Sequence, residues 1–420
     1  MTGVTAALAA LGMAAGLAGC GAGGVGGSDT VTLKMVAADY GDSAANSTQK
    51  YWDELTAAFE KKNPGIEVEV DVRSWSDVDA HVAALVKKGE DPDIAQIGAY
   101  ADYAAQGKLY SADDLLSIPV QADFLPALSQ AGELRRVQYG MPFASSTRLL
   151  FYNKKLFAKA GITGAPQSWT ELADDAEKLK AAGVKYPFAL PLGREEAPAE
   201  TLMWLLSGGD GYTDNVGTYT LDSADNVKTF KWLRDDLVGE GLTGPVAPGE
   251  LDRQDAFNAF SRGEVGMLNG HPTLMKQAKK QGVEYGMVPL PGVNGKAKAT
   301  MGVADWMMGF KRNGHKAEIG KFLDFVYEDS NVLDFSDRYD ILPVTSSASD
   351  AMAEDPKYKH LREFLDELPH SELYPVGKTS WAQVSAAIKK DIGKTVQPGG
   401  DPAAVLQKLQ NEAVAAESAE

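Results

Sequence analysis

The 420-residue chain has one cysteine, Cys20, so it can close no disulfide of its own. Basic residues are outnumbered: 41 Lys and Arg stand against 58 Asp and Glu, for a net charge of −17. That balance argues against nucleic acid as a partner, because binding phosphates needs a basic face. No long run of either charge stands out, and after Cys20 no apolar run reaches the about 18 residues of a membrane span. Catalytic signatures are missing too. There is no G-x-S-x-G elbow, no H-E-x-x-H and no P-loop. The histidines His81, His271, His315, His360 and His370 are scattered, with no pair at ligand spacing, so no metal and no other cofactor is expected. Residues 19–24 formally fit G-x-G-x-x-G, but no strand precedes them and no helix pattern follows, so a nucleotide site is rejected.

What is present is enough chain for two lobes, with the 44% hydrophobic and 24% charged residues of a soluble globular protein. Residues 31–37 read as a strand. Tyr51, Trp52, Leu55, Ala58 and Phe59 recur at helical spacing, and Asn63-Pro64-Gly65 stops that helix. Ile66, Val68, Val70 and Val72 alternate with acids, as in a strand. Ser76 and Asp79 form a capping pair for a helix carrying Val78, Val82 and Leu85, and residues 94–97 make a short buried strand. Strand, helix, strand, helix, strand is the pattern of a parallel α/β sheet, in which ligands sit beyond the carboxyl ends of the strands. That rule singles out Asp39 and Tyr40, Trp75, and Tyr100. Later helices and strands alternate to the end of the chain without an internal repeat, and the tail from Glu412 is expected to fray.

Residues 139–157, YGMPFASSTRLLFYNKKLF, organise the rest. Pro142 fixes its own φ and keeps Met141 extended. Ser145, Ser146 and Thr147 follow, then a lone Arg148, then the apolar run Leu149 to Tyr152. Alone this reads as a buried strand; within the whole chain it reads as a crossover between lobes, its polar residues facing the cleft. Seven tryptophans, several beside loops, could offer flat faces to a sugar, with Asp, Arg and Asn side chains bonding its hydroxyls. Trp52, Trp169 and Trp232 sit in or beside helix patterns and are expected in the core. Adjacent acids such as Glu195-Glu196 and Asp235-Asp236 read as solvated faces.

The N-terminus resembles a bacterial lipoprotein signal. Residues 1–19 use only Met, Thr, Gly, Val, Ala and Leu, and Leu17-Ala18-Gly19-Cys20 resembles the lipobox, whose cysteine is lipidated. Residues 1–20 are thus read as a signal peptide and 21–29, GAGGVGGSD, as a glycine tether. The missing Lys or Arg ahead of Cys20 is a departure from such signals, consistent with a start further upstream or with missing residues.

Residues 139–183 closely resemble the extracellular solute-binding proteins of family 1, the carbohydrate-type receptors of bacterial ABC importers. AFEKKNPGIEVEV (58–70), DPDIAQIGAY (91–100), AFSRGEVGMLNG (259–270), MGVADWMMGF (301–310) and ILPVTSSA (341–348) carry the same resemblance. It implies an α/β fold of two-lobed periplasmic-binding-protein (Venus flytrap) type, with an N-terminal lobe of 30–142 plus 300–344 and a C-terminal lobe of 143–299 plus 345–420. Three crossings are implied, near 142–146, 296–302 and Val344. Ligand would sit in the cleft and favour the closed state. The expected partners are a sugar, the permease subunits and the membrane through a lipid on Cys20, with the chain a monomer on the outer face of the cell membrane.

The same resemblance places Trp381, Trp204 with Asp210, and Asp305-Trp306 at the cleft. Ser145, Arg148 and, more weakly, Arg338-Tyr339 join them. Asn269-Gly270-His271-Pro272 departs from relatives that carry a tryptophan just after the Asn-Gly, which puts His271 at that wall and the sugar type in doubt. Trp381→Ala is then expected to lower affinity by more than about 1.4 kcal/mol without unfolding the protein. The leading reading is a sugar or oligosaccharide receptor and not an enzyme. Its alternatives are the same fold taking a glycerophosphodiester or another polar solute, with Arg148 and His271 as anion partners, or a secreted carbohydrate-active enzyme.

Overall fold

The protein, a computed structural model, is described over residues 30–41, 46–75 and 77–418. Cys20, the signal-like segment, the tether and Ser76 of the expected capping pair lie outside these residues. Nine strands build the two main sheets: β1 (Val31–Ala38), β2 (Ile66–Arg73), β3 (Ile94–Ile97), β4 (Met141–Thr147), β5 (Leu149–Asn153), β6 (Tyr186–Phe188), β7 (Val265–Gly270), β8 (Tyr285–Val288) and β9 (Gly302–Gly309).

The first sheet runs β2-β1-β3-β9-β4. Its first three strands are parallel, as the alternation of strand and helix requires, and β9 pairs antiparallel with both β3 and β4. Apolar side chains cover both faces. Leu33, Met35 and Ile94 pack on one side with Trp52 and Phe59, while Val36, Ala95, Ile97 and Met308 pack on the other. Two covered faces explain why Met35–Ala38 of β1 and all four residues of β3 are buried rather than alternating between buried and exposed. The helix Thr48–Lys62 buries Tyr51, Trp52, Leu55 and Phe59, and Ser47 caps it by accepting from the amide of Lys50 at 3.3 Å. The second sheet runs β8-β5-β7-β6. It shares a second core with the helices Trp169–Ala181, Ala197–Gly208, Trp381–Asp391 and Pro402–Glu417. That last helix buries Ala413 and Ala416, so the tail is held where fraying was expected.

The chain passes between the sheets three times, and two passages differ from expectation. Residues 141–147 pair with β9 apart from a bulge at Phe143, so the first crossing falls on Arg148 alone rather than on 142–146. The second, residues 297–301, falls where the sequence placed it. The third falls near Glu372 rather than near Val344. Helices Ser346–Glu354 and Arg362–Glu367 stay with the first sheet because Ala348, Met352 and Phe364 fill its core. The three passages lie side by side. Thr300 Oγ1 donates to the Arg148 carbonyl at 2.6 Å, and the Glu372 amide donates to the Thr300 carbonyl at 2.9 Å.

Candidate functional site

A cleft of about 630 Å³ opens where the two sheets face each other across Arg148. That is the size of a small-molecule site, roughly 300–1,000 Å³. Its floor is Ala144, Ser145 and Ser146, near the carboxyl end of β4 before the crossing. Tyr40, Trp75, Val303 and Asp305 form the wall on the first sheet, with Asp340 and Ile341 at its edge. Glu195, Glu196, Arg253, His271 and Thr273 form the opposite wall.

The first wall is a directed chain of hydrogen bonds. Gln96 Oε1 accepts from the Ala38 amide at 2.9 Å, which turns its Nε2 to donate to the Tyr40 hydroxyl at 3.0 Å. The Tyr40 hydroxyl then donates to Asp305 Oδ2 at 2.6 Å. Burial, opposed by that bond, pushes the Asp305 carboxyl up to about 7, and burial beside Asp305 pushes the Tyr40 phenol well above its ordinary range. Trp75 and Tyr40 meet in a T-shaped contact at 5.4 Å, and Trp75, 39% exposed, presents aromatic surface to the cleft.

The opposite wall is an ion-pair lattice. Arg148 pairs with Glu196, while Arg253 reaches Glu195 and Glu196, each at 2.5 Å. Both guanidiniums are therefore already neutralised by protein carboxylates. His271 lies against the Phe257 ring at 5.0 Å, with its Nδ1 2.9 Å from Thr273 Oγ1. Burial first, then the charges of Arg148 and Arg253, push its pKa well below the usual value, so the ring is neutral at pH 7. Across the whole lining four carboxylates face two guanidiniums, and Asp340 is itself paired to Lys276 at 2.8 Å. Such a surface offers many hydrogen bonds and no spare positive charge.

Six of the residues singled out from sequence meet here: Tyr40, Trp75, Ser145, Arg148, His271 and Asp305. The others do not line the cleft. Asp39 is exposed, and its Oδ1 accepts from the amide of Gly41 at 2.9 Å. Tyr100 is fully buried, its hydroxyl set on the carbonyls of Ala131 and Glu133. Trp306 is fully buried because it follows Asp305 on one strand, and neighbouring side chains point to opposite faces. Trp204 is buried and donates to Glu200 at 2.7 Å. Asp210 lies past the end of the helix Ala197–Gly208. Arg338 pairs with Glu54 at 2.7 Å and Asp334 at 2.9 Å. Tyr339 supports Tyr40 from behind at 5.8 Å. Trp381 is 9% exposed, packed between Tyr212 at 5.2 Å and Tyr374 at 5.0 Å. Of the tryptophans, Trp52 and Trp169 are core as expected, and Trp75 alone among the described residues reaches the cleft.

Sequence reasoning missed Glu195, Glu196, Arg253 and Asp340. Glu195 and Glu196 read as a solvated face, yet they end the loop just ahead of the helix Ala197–Gly208, whose Pro198 marks its first turn. An acid before a helix N-terminus was the available signal. Arg253 gives none, since its partners lie 57 and 58 residues away. Among the described residues no group of three His, Cys, Asp or Glu side chains could hold a metal ion. No described helix is long and apolar enough to cross a membrane.

The family described as bacterial extracellular solute-binding protein matches residues 44–332. A binding protein of Brucella abortus (strain 2308) is 29% identical over 384 residues, covering 90% of this chain and 92% of that one. The sn-glycerol-3-phosphate-binding periplasmic protein of Escherichia coli (strain K12) is 25% identical over 356 residues, covering 76% of this chain and 79% of its own. In three dimensions the cyclic alpha-maltosyl-1,6-maltose binding protein from Arthrobacter globiformis superposes with a TM-score of 0.77 at 17% identity, over 93% of this chain and all of the other (100%). Two sheets joined by three adjacent crossings, a solvent-open cleft between them and a family match over most of the chain lead to one conclusion: this protein belongs to the bacterial extracellular solute-binding proteins.

Proposed function

We propose that the protein is the receptor of an ABC importer and captures an uncharged sugar or oligosaccharide in the cleft. The observation that carries this reading is the lining itself. Trp75 offers partly exposed aromatic surface beside the Tyr40–Asp305 pair, and the two guanidiniums opposite are already held by Glu195 and Glu196. A neutral polyol can trade bonds with such a lattice, using Arg and carboxylate groups that bond hydroxyls strongly. A phosphate would meet four carboxylates and no unpaired cation. The maltose-type ligand named for the Arthrobacter structure agrees with the sugar reading, and the glycerol phosphate named for the Escherichia relative supplies its competitor.

The lobes close by rotation about Arg148, residues 297–301 and the Glu372 segment, and the closed form docks on the permease. The chain acts as a monomer on the outer face of the cell membrane, anchored by a lipid on Cys20. It binds without turnover. Glu195 and Glu196 are tied to arginines rather than poised across a bond as two independent carboxyls, so bound sugar is recovered unchanged. Titration with maltose, other mono- and oligosaccharides and sn-glycerol-3-phosphate, followed by tryptophan fluorescence and calorimetry, tests the assignment. A response to glycerol phosphate with none to any sugar would sink it.

A further inference from the structure

Behind the Arg148–Glu196 pair lies a recess of about 20 Å³. Arg148, Glu196, Arg253 and His271 line both it and the cleft, so the recess is the cleft's inner end. Its far side is Glu200 and Asn269, which are 6% and 4% exposed. Glu200 Oε1 accepts from Trp204 Nε1 at 2.7 Å and from Asn269 Nδ2 at 2.9 Å. In that pairing the amide nitrogen faces Glu200. Asn269 Oδ1 is left buried without a partner. Buried acceptors are nearly always satisfied, and Asn269 lines the recess, so its unpaired oxygen is available to a guest that enters it.

We propose that this recess is a hydroxyl subsite: one alcohol group of the bound solute enters it, donates to Asn269 Oδ1 and accepts from the Arg148 guanidinium. The inference rests on the reading of the cleft as a sugar site and specifies which end of the sugar is read. Size sets the first limit, since the volume suits a group of about one water molecule, which needs roughly 10–15 Å³. Chemistry sets the second. The guest must both donate and accept, and a hydroxyl does both. An ammonium has no lone pair for Arg148. A carboxylate or phosphate has no proton for Asn269, is too large, and would sit against the Glu196 carboxylate. Burial first, opposed by the bonds from Trp204 and Asn269, pushes Glu200 up to about 8, so at neutral pH its proton keeps the recess free of a second negative charge. His271, neutral, adds no charge either.

The test compares D-glucose, its monodeoxy derivatives, D-xylose and maltose by calorimetry on the full chain, together with sn-glycerol-3-phosphate. One hydroxyl position is expected to matter: its removal lowers affinity tenfold or more. Asn269→Ala should bring the parent sugar down to that deoxy analogue and leave the deoxy analogue unchanged. Equal affinity for all the deoxy sugars, or an equal loss for all of them in Asn269→Ala, overturns the proposal. Binding of glycerol phosphate alone refutes the sugar reading instead. A crystal structure of the wild-type protein with its tightest ligand from the panel then decides the subsite separately, and does so even if the variant fails to fold. A ligand hydroxyl within about 3.2 Å of Asn269 Oδ1 upholds it. A water retained there beside bound ligand overturns it.

Discussion

Trp75 and Trp381 separate two roles that one residue type can take. Trp75 lines the cleft, is partly exposed and meets Tyr40 in a T-shaped contact. Trp75→Ala is expected to weaken sugar binding by about 1.4 kcal/mol or more, tenfold, while the urea midpoint of the unliganded protein stays near wild type. Trp381 instead fills the second core between Tyr212 and Tyr374 at the start of its helix. Trp381→Ala should cost about 3–5 kcal/mol of stability, as large aromatic truncations in cores do. This reverses the expectation drawn from resemblance, that the same change would lower affinity and leave the fold intact. Calorimetry on both variants with thermal melts distinguishes the roles. Trp381→Ala binding tenfold more weakly at unchanged melting temperature would place Trp381 at the ligand after all. Burial is a property of the assembled second lobe, and nothing local in Ser380-Trp381-Ala382 reports it.

The element that matters most is β4 with its one-residue crossing. Ser145 lines the cleft, yet its hydroxyl is committed to the carbonyls of Leu342 and Pro343 at 3.1 and 3.0 Å. Its backbone exchanges two more bonds with Leu342, at 3.1 and 2.9 Å. Ser145→Ala should therefore cost about 1 kcal/mol of stability, the worth of an ordinary hydrogen bond, and leave sugar affinity unchanged. An affinity loss of tenfold with unaltered stability would show that the hydroxyl serves the ligand. The crossing was legible in sequence because Pro142, the small polar run and Leu149 to Tyr152 each bias the chain locally. Its register was not. Residues 141–147 continue the first sheet only because β9, more than 150 residues later, supplies the pairing partner. The site divides in the same way. Tyr40, Trp75 and Asp305 follow from strand ends or from the family motif. Arg253 and Glu195 become neighbours through tertiary packing alone.

At the scale of the whole molecule, three titratable groups around the cleft, one buried and two partly buried, couple its stability to pH. Asp305 and Glu200 hold their protons in the folded state up to about 7 and about 8. In the unfolded chain both ionise near pH 4. Between those values the folded state binds more protons than the unfolded one, so stability falls as pH rises, by about 1.4 kcal/mol per unit for each such group at most. His271 acts in the opposite sense. Its pKa is depressed in the folded state, so its contribution is complete above the unfolded value near 6.5 and is lost as pH falls. The contributions partly cancel below pH 6.5. From 7 to 8 Glu200 contributes most of the remaining slope, since Asp305 titrates lower and is mostly ionised over that range. Urea unfolding of the unliganded protein should show stability dropping by about 1 kcal/mol over that unit. Glu200→Gln, which keeps an oxygen to accept from Trp204 and Asn269, should remove the drop. If the two proteins instead lose stability in parallel between pH 7 and 8, Glu200 is already ionised at neutral pH. The recess behind Arg148 then carries a negative charge, and the case for a neutral hydroxyl there loses its electrostatic support.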